Sequence, residues 1–107
     1  MTNNDKVPEL TNGEFNNFIE EGIVLIDFFA EWCMPCLMLS PVIEELAEKM
    51  KDVKFVKINT DDNQEISKKY GISSIPCLIF FKDGDEVDRV VGAHEGDAIK
   101  KKIVGNL

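Results

Sequence analysis

The most apolar part of the chain is the run Ile23-Val24-Leu25-Ile26-Asp27-Phe28-Phe29-Ala30. It is apolar at odd and even positions alike, as in a central parallel strand covered on both faces, and it predicts a strand over 23–29. Beyond it, Leu39, Val42, Ile43, Leu46, Ala47 and Met50 recur at helical spacing and predict an amphipathic helix over 37–50. Pro41 lies inside that helix, where a missing backbone donor predicts a kink after the first two turns. A second apolar run predicts a strand over 53–58, and strand–helix–strand implies a right-handed crossover between parallel strands.

The flanks are read the same way. Residues 1–5 form a loose end, and 7–10 predict a short edge strand, with Pro8 tolerated at an edge or a start. Thr11-Asn12-Gly13-Glu14 has the form of a capping box that opens a helix to about residue 20, with Phe15, Phe18 and Ile19 as its apolar face and Gly22 as its stop. Asp61 or Asp62 caps a short helix that ends near Tyr70 and Gly71. Strands over 77–82 and 86–91 meet at Asp83-Gly84, a hairpin signal. A last helix runs over about 95–104, with Ala98, Ile99 and Ile103 inward. Repeats, linkers and low-complexity segments are absent from the sequence. The sum is an α/β chain, a mixed sheet with helices on both faces, forming a single domain over 1–107.

Composition narrows the function. With 44% hydrophobic and 30% charged residues the chain reads as an ordinary soluble domain, long enough at 107 residues to bury a core without staples. A net charge of −8 argues against nucleic acid and against anionic membranes as partners. Residues 1–6 carry no apolar segment of a secretory signal, and the longest apolar run is too short to span a bilayer. Three cysteines, an odd number, do not make a disulfide framework. A Cys-x-x-Cys pair without a signal points instead to redox chemistry in a reducing cytoplasm.

That pair is Trp32-Cys33-Met34-Pro35-Cys36, at the junction of the first strand and the helix after it. Residues three apart in a helix are neighbours with Cα atoms about 5–6 Å apart, inside the range that a disulfide tolerates. A helix N-terminus favours negative charge and so lowers the pKa of a thiol placed there. Cys33, nearer the open end, is expected to be the exposed nucleophile and the deeper Cys36 the resolving thiol. Pro35 is tolerated because first-turn N–H groups have no helical partner. Two blander readings exist: a pair of ordinary buried cysteines, or a zinc or iron–sulfur site drawing on Cys33, Cys36, Cys77 and His94. The second paired ligand cluster usual in closed zinc sites is missing, so no metal is expected.

Asp27 is the other informative residue, because a carboxylate inside an apolar strand is costly unless protonated or paired. On a period of two it shares a face with Ile23, Leu25 and Phe29, while Lys57 in the next strand shares one with Val53 and Phe55. The two charges thus lie near each other, either as a structural ion pair or as a general base and its neighbour. Trp32 is core filling, or a shield over the thiol that touches partners. Cys77 reads as a small buried hydrophobe and His94 as a surface residue at a helix start.

Taken together these residues resemble the thioredoxin family. Its usual signature is Trp-Cys-Gly-Pro-Cys, and Met34 stands where the glycine would be. Asp27, Lys57 in "FVKINTD", Ile75-Pro76 in "SSIPCLIFF", Gly84 in "KDGD" and Gly92 in "VVGAH" match in the family's order across essentially the whole chain. The resemblance implies a thioredoxin fold, with no cofactor other than a redox-active Cys33–Cys36 disulfide. It gives Asp27 the role of general base toward Cys36, with Lys57 beside it. It also implies a substrate groove of Trp32, Met34, Pro35, Ile75, Pro76 and Gly92, in which Pro76 is cis and the Ile75 backbone pairs with bound substrate like an added strand.

The implied activity is reduction of protein disulfides in the cytoplasm by a monomer that a thioredoxin reductase re-reduces. An isomerase or oxidant on the same fold is the alternative enzyme, opposed by Pro35 and the lack of a signal. A non-redox binding module is the alternative from another class, opposed by the intact cysteines, Asp27 and Lys57. Two departures stand out: Cys77, where the family more often has threonine, and Met34, which leaves the reaction class intact but changes the surroundings of the thiol that set potential and partner choice.

Overall fold

The structure, a computed structural model, describes residues 7–11 and 13–107. The loose end expected at 1–5 and Asn12 of the expected capping box lie outside the described residues. In chain order the elements are α1 (Phe15–Ile19), β1 (Ile23–Phe29), α2 (Met34–Lys49), β2 (Val53–Asn59), α3 (Gln64–Lys69), β3 (Cys77–Lys82), β4 (Asp85–Val91) and α4 (Gly96–Gly105). The sheet order is β2-β1-β3-β4. β1 pairs with β2 in parallel and with β3 in antiparallel fashion, and β3 with β4 antiparallel, so the sheet is mixed.

The continuous apolar run of β1 follows from its place. It has a strand on each side and helices over both faces, and every residue from Ile23 to Phe28 is buried. Alternate residues serve two separate cores. Leu25, Phe55, Leu78 and Phe80 pack with Leu39, Ile43 and Leu46 of α2 and with Ile99 and Ile103 of α4. Ala98 of α4, expected inward with them, is exposed. Val24, Ile26, Phe28, Ile79 and Phe81 pack on the other side with Phe15 and Ile19 of α1 and with Ile66 and Tyr70 at α3. Asp83 and Gly84 both have positive φ, 50° and 94°, as the two-residue hairpin signal implies.

Four features differ from the sequence reading, each for a local reason. α1 starts at Phe15, because the Thr11 hydroxyl donates to Glu14 Oε1 (2.7 Å) rather than accepting a helical N–H; only the carboxylate half of the box forms, with Thr11 N–H donating to the same oxygen at 2.7 Å. α2 starts at Met34 rather than near residue 37, because Cys33 caps it and Pro35 fits its first turn, and Pro41 lies inside it. The segment before α1 makes a single parallel bridge, Glu9 to Lys57, since Pro8 has no N–H to extend a ladder. The N-cap of α3 is Asn63, not Asp61 or Asp62. Asn59 Oδ1 takes the backbone N–H of Asp61 at 2.9 Å and of Asp62 at 3.4 Å, which holds both aspartates in a turn before the helix.

A candidate active site at the carboxyl ends of the parallel strands

β1 and β2 end, and α2 begins, at one pole of the sheet. Cys33 is the N-cap of α2 in extended conformation, and Cys36 lies in its first turn with Pro35 between them. The two are joined as a disulfide with Cα atoms 5.2 Å apart. The Cys36 N–H donates to Cys33 Sγ at 3.2 Å. A sulfur therefore fills the acceptor role that Ser or Asp takes at most helix starts, and the helix N-terminus favours negative charge on it once the bond is reduced. Pro35 costs α2 no hydrogen bond there.

Cys33 is not exposed in the disulfide form. Both cysteines are 3% accessible, packed with Ala30 against Phe29 and Ile75. The Cys33 side chain is turned back toward Cys36 and its N–H, and position nearer the helix start does not by itself expose it. What is exposed is the rim: Trp32 at 72% and Met34 at 64%. Trp32 is not core filling. Its indole N–H donates to Asp61 Oδ2 at 2.9 Å, and Asp61 is held by its own N–H on Asn59 Oδ1 and by the neighbouring Thr60 N–H on the Phe29 carbonyl at 2.8 Å. Asp61 is the neighbour that the sequence reading misses. Nothing in local periodicity marks a hydrogen bond between loops that follow two different strands.

On the far side of the disulfide the Ile75–Pro76 peptide is cis. Ile75 packs on the cysteines, and the Pro76 carbonyl accepts the Gly92 N–H at 2.8 Å. Gly92 has φ +90°, a conformation that strains a residue carrying Cβ. The structure thus brings together Trp32, Cys33, Cys36, Ile75, Pro76 and Gly92, with Met34 and Pro35 on the exposed first turn of α2.

Asp27 is 4% accessible and stands opposite Lys57 in the β1–β2 register. Its Oδ1 has no hydrogen-bond partner. Burial pushes its carboxyl up to about 7 from 3.8, with the Lys57 ammonium pulling in the other direction. No contact ion pair forms between them: among the described residues the close pairs are Lys49–Glu45, Arg89–Glu86 and Lys102–Asp88. The Lys57 Nζ sits instead 5.5 Å from the centre of the Phe29 ring.

Cys77 remains a free thiol, buried in the core beneath α1 and α3, and burial pushes its pKa up. A raised thiol pKa suits a small hydrophobe rather than a nucleophile. His94 is exposed, with Nδ1 at 3.1 Å from the Gly92 carbonyl oxygen. Among the described residues no group of three or more His, Cys, Asp or Glu is arranged to hold a metal. Nor is any helix among them long and apolar enough to cross a membrane.

Comparison with known proteins agrees with this geometry. A sequence model of the thioredoxin family matches residues 6–105. Thioredoxin of Chlamydia caviae is 55% identical over 89 residues, which cover 83% of this chain and 87% of that one. Thioredoxin of Bacillus subtilis is 44% identical over 102 residues, covering 94% and 98%. Among solved structures, a single-substitution mutant of thioredoxin from Halobacterium salinarum NRC-1 superposes with a TM-score of 0.86 at 38% identity, covering 98% of this chain and 95% of that one. The fold and the Cys33–Cys36 pair define a thiol–disulfide oxidoreductase of the protein-disulfide-reductase kind, whose redox group is part of the chain. The chain belongs to the thioredoxin family.

Proposed function

We propose that Cys33 is the attacking thiol, Cys36 the resolving thiol, and Asp27 the base that serves Cys36. The reduced Cys33 thiolate attacks one sulfur of a partner disulfide; an S–S bond forms between chain and partner, and the partner's other sulfur leaves as a thiolate that takes a proton. Cys36 gives its proton to Asp27 and attacks Cys33 Sγ, which breaks the mixed disulfide. Two electrons have then passed to the partner, and Cys33–Cys36 is oxidised. The observation that carries this division of labour is the Cys36 N–H aimed at Cys33 Sγ, since it favours charge on Cys33 and not on Cys36.

Asp27 suits its role because β1 and α2 run in opposite directions across the same core. Leu25 shares a core with Leu39 and Ile43 of α2, and Asp27, two residues nearer the pole on the same face of β1, is the buried carboxyl that would face Cys36 in the first turn of α2. A carboxyl pushed up to about 7 is matched to accepting a proton near neutral pH, and Lys57 tempers it. Trp32, Met34, Pro35, the Ile75 backbone, Pro76 and Gly92 form the groove for the partner segment. A thioredoxin reductase returns the electrons. The chain works as a single monomeric domain in a reducing cytoplasm, where a dithiol of this kind is kept reduced.

The test is trapping. With a disulfide-bearing protein substrate, Cys36→Ser is expected to accumulate a mixed disulfide through Cys33 that mass spectrometry locates, while Cys33→Ser accumulates none. A stable adduct on Cys36 would reverse the assignment.

A further inference from the structure

The pole that carries the disulfide is acidic. Its connecting segments are residues 30–33, 60–63, 70–76 and 92–95, and they contain no Lys or Arg and a single His, His94. They contain Glu31, Asp61, Asp62 and Glu95, all exposed. These segments form one rim, because Thr60 binds the end of β1, Asp61 binds Trp32, Ile75 packs on the cysteines and Gly92 binds Pro76. Between Lys6 and Lys49 the sequence has no Lys, Arg or His, so α2 brings no positive charge to the rim before its last residue. Lys57, half-buried against Phe29, is the nearest cation to the site along β2.

The helix that starts at this rim carries an apolar seat. Met34, Leu37 and Met38, at i, i+3 and i+4, line one exposed side of α2 at 64, 53 and 71% accessibility, and Trp32, two residues before Met34, is exposed as well. Large apolar side chains exposed together on a soluble chain mark a contact surface, and methionines adapt it to varied shapes. A cationic partner is drawn to the rim and an anionic one repelled, which acts chiefly on the association rate.

We propose that this pole selects protein partners whose disulfide is flanked by lysine or arginine beside an apolar contact. The carboxylates of Glu31, Asp61, Asp62 and Glu95 supply the charge selection, and the α2 ridge with Trp32 supplies the seat. The inference rests on the oxidoreductase reading above and names its substrate class. The transfer is the one already described: the dithiol loses two electrons and two protons to the partner disulfide, which becomes two thiols.

The test uses the reduced full chain and three disulfide-linked peptides that share one apolar core and differ only in flanking Lys, Glu or Ser. Single-turnover reduction of the Lys peptide is expected to exceed that of the Glu peptide by about tenfold or more at low ionic strength. The ratio falls toward unity at about 1 M salt, where the screening length is about 3 Å. In Glu31→Lys/Asp62→Lys/Glu95→Lys, which spares the Asp61 bond to Trp32, the preference shrinks or inverts. Equal rates for the Lys and Glu peptides, or a ratio indifferent to salt, overturn the proposal while leaving the oxidoreductase reading intact. Failure to reduce even the Ser peptide would defeat both.

Discussion

The two faces of the sheet are built from the same strands, one residue apart, and they have been given different work. Under α1 and α3 the face is all apolar at its β1 and β3 positions, closed by Phe15, Tyr70 and Phe81 with ring centres 5.4 to 5.6 Å apart in tilted and edge-to-face pairs. Even its cysteine, Cys77, is buried and free. Under α2 and α4 the face begins the same way, with Ile23 and Leu25, and then admits Asp27 and its register partner Lys57. Both faces hold the fold, and one of them also tolerates a buried carboxyl. In β1 the buried charge is confined to one face, at Asp27, and its removal is expected to have an effect opposite in sign to the loss of a core ring on the other face.

The largest break in that comparison comes from the apolar face. Phe81→Ala removes a fully buried ring and is expected to cost about 3–5 kcal/mol, measured by denaturant unfolding, while the reduction potential stays where it was. A potential that moved with the stability would mean that the two faces are coupled.

On the other face Asp27→Asn is expected to stabilise. The folded carboxyl is pushed up to about 7 from 3.8, so the folded state holds its proton more tightly than the unfolded chain does. Stability from that proton is complete below about pH 4 and is lost as pH rises through about 7. At pH 8 the variant should therefore be more stable by something on the order of 4 kcal/mol, with the gain vanishing at acid pH. Its turnover should fall at the same time. Melts that show a loss at pH 8 would mean that the charge is better compensated than Lys57 alone allows.

Lys57→Met sharpens the same face by a smaller step. Removing the ammonium should raise the Asp27 pKa further, seen as a displacement of the pH dependence of turnover to higher pH. The smallest effect is expected outside both cores. Met34→Gly should change the rate with a given reductase by a few-fold while leaving stability and the equilibrium with glutathione nearly unchanged; the reverse pattern would assign Met34 to the potential.

How far the sequence can be read follows the same division. Strands of paired apolar runs, such as 23–29 and 77–82, are legible because burial on two faces leaves a continuous signature. The approach of Asp27 to Lys57 is legible from the period of two. Local pattern points to Asp61 or Asp62 as a helix cap, because short acidic residues precede a helical stretch, whereas Asn63 holds that place and Asp61 accepts the Trp32 indole N–H. Such a bond depends on how two loops lie against each other, which no local pattern encodes. The burial of Cys33 is hidden for a related reason: order along a helix says which residue comes first, not what folds over it.

The start of α2 has one further property. Its cap is Cys33 Sγ, accepting the Cys36 N–H. In helices capped by serine or aspartate that acceptor is a constant of the sequence. Here it changes with the electron count, from a weak neutral acceptor in the disulfide to an anionic one in the thiolate. With Cys33 as the attacking thiolate, the helix is expected to be fastened more firmly when the chain is ready to act than after it has acted, and slower amide exchange at Cys36 in the reduced protein would record each turnover as a tightening and loosening of one hydrogen bond.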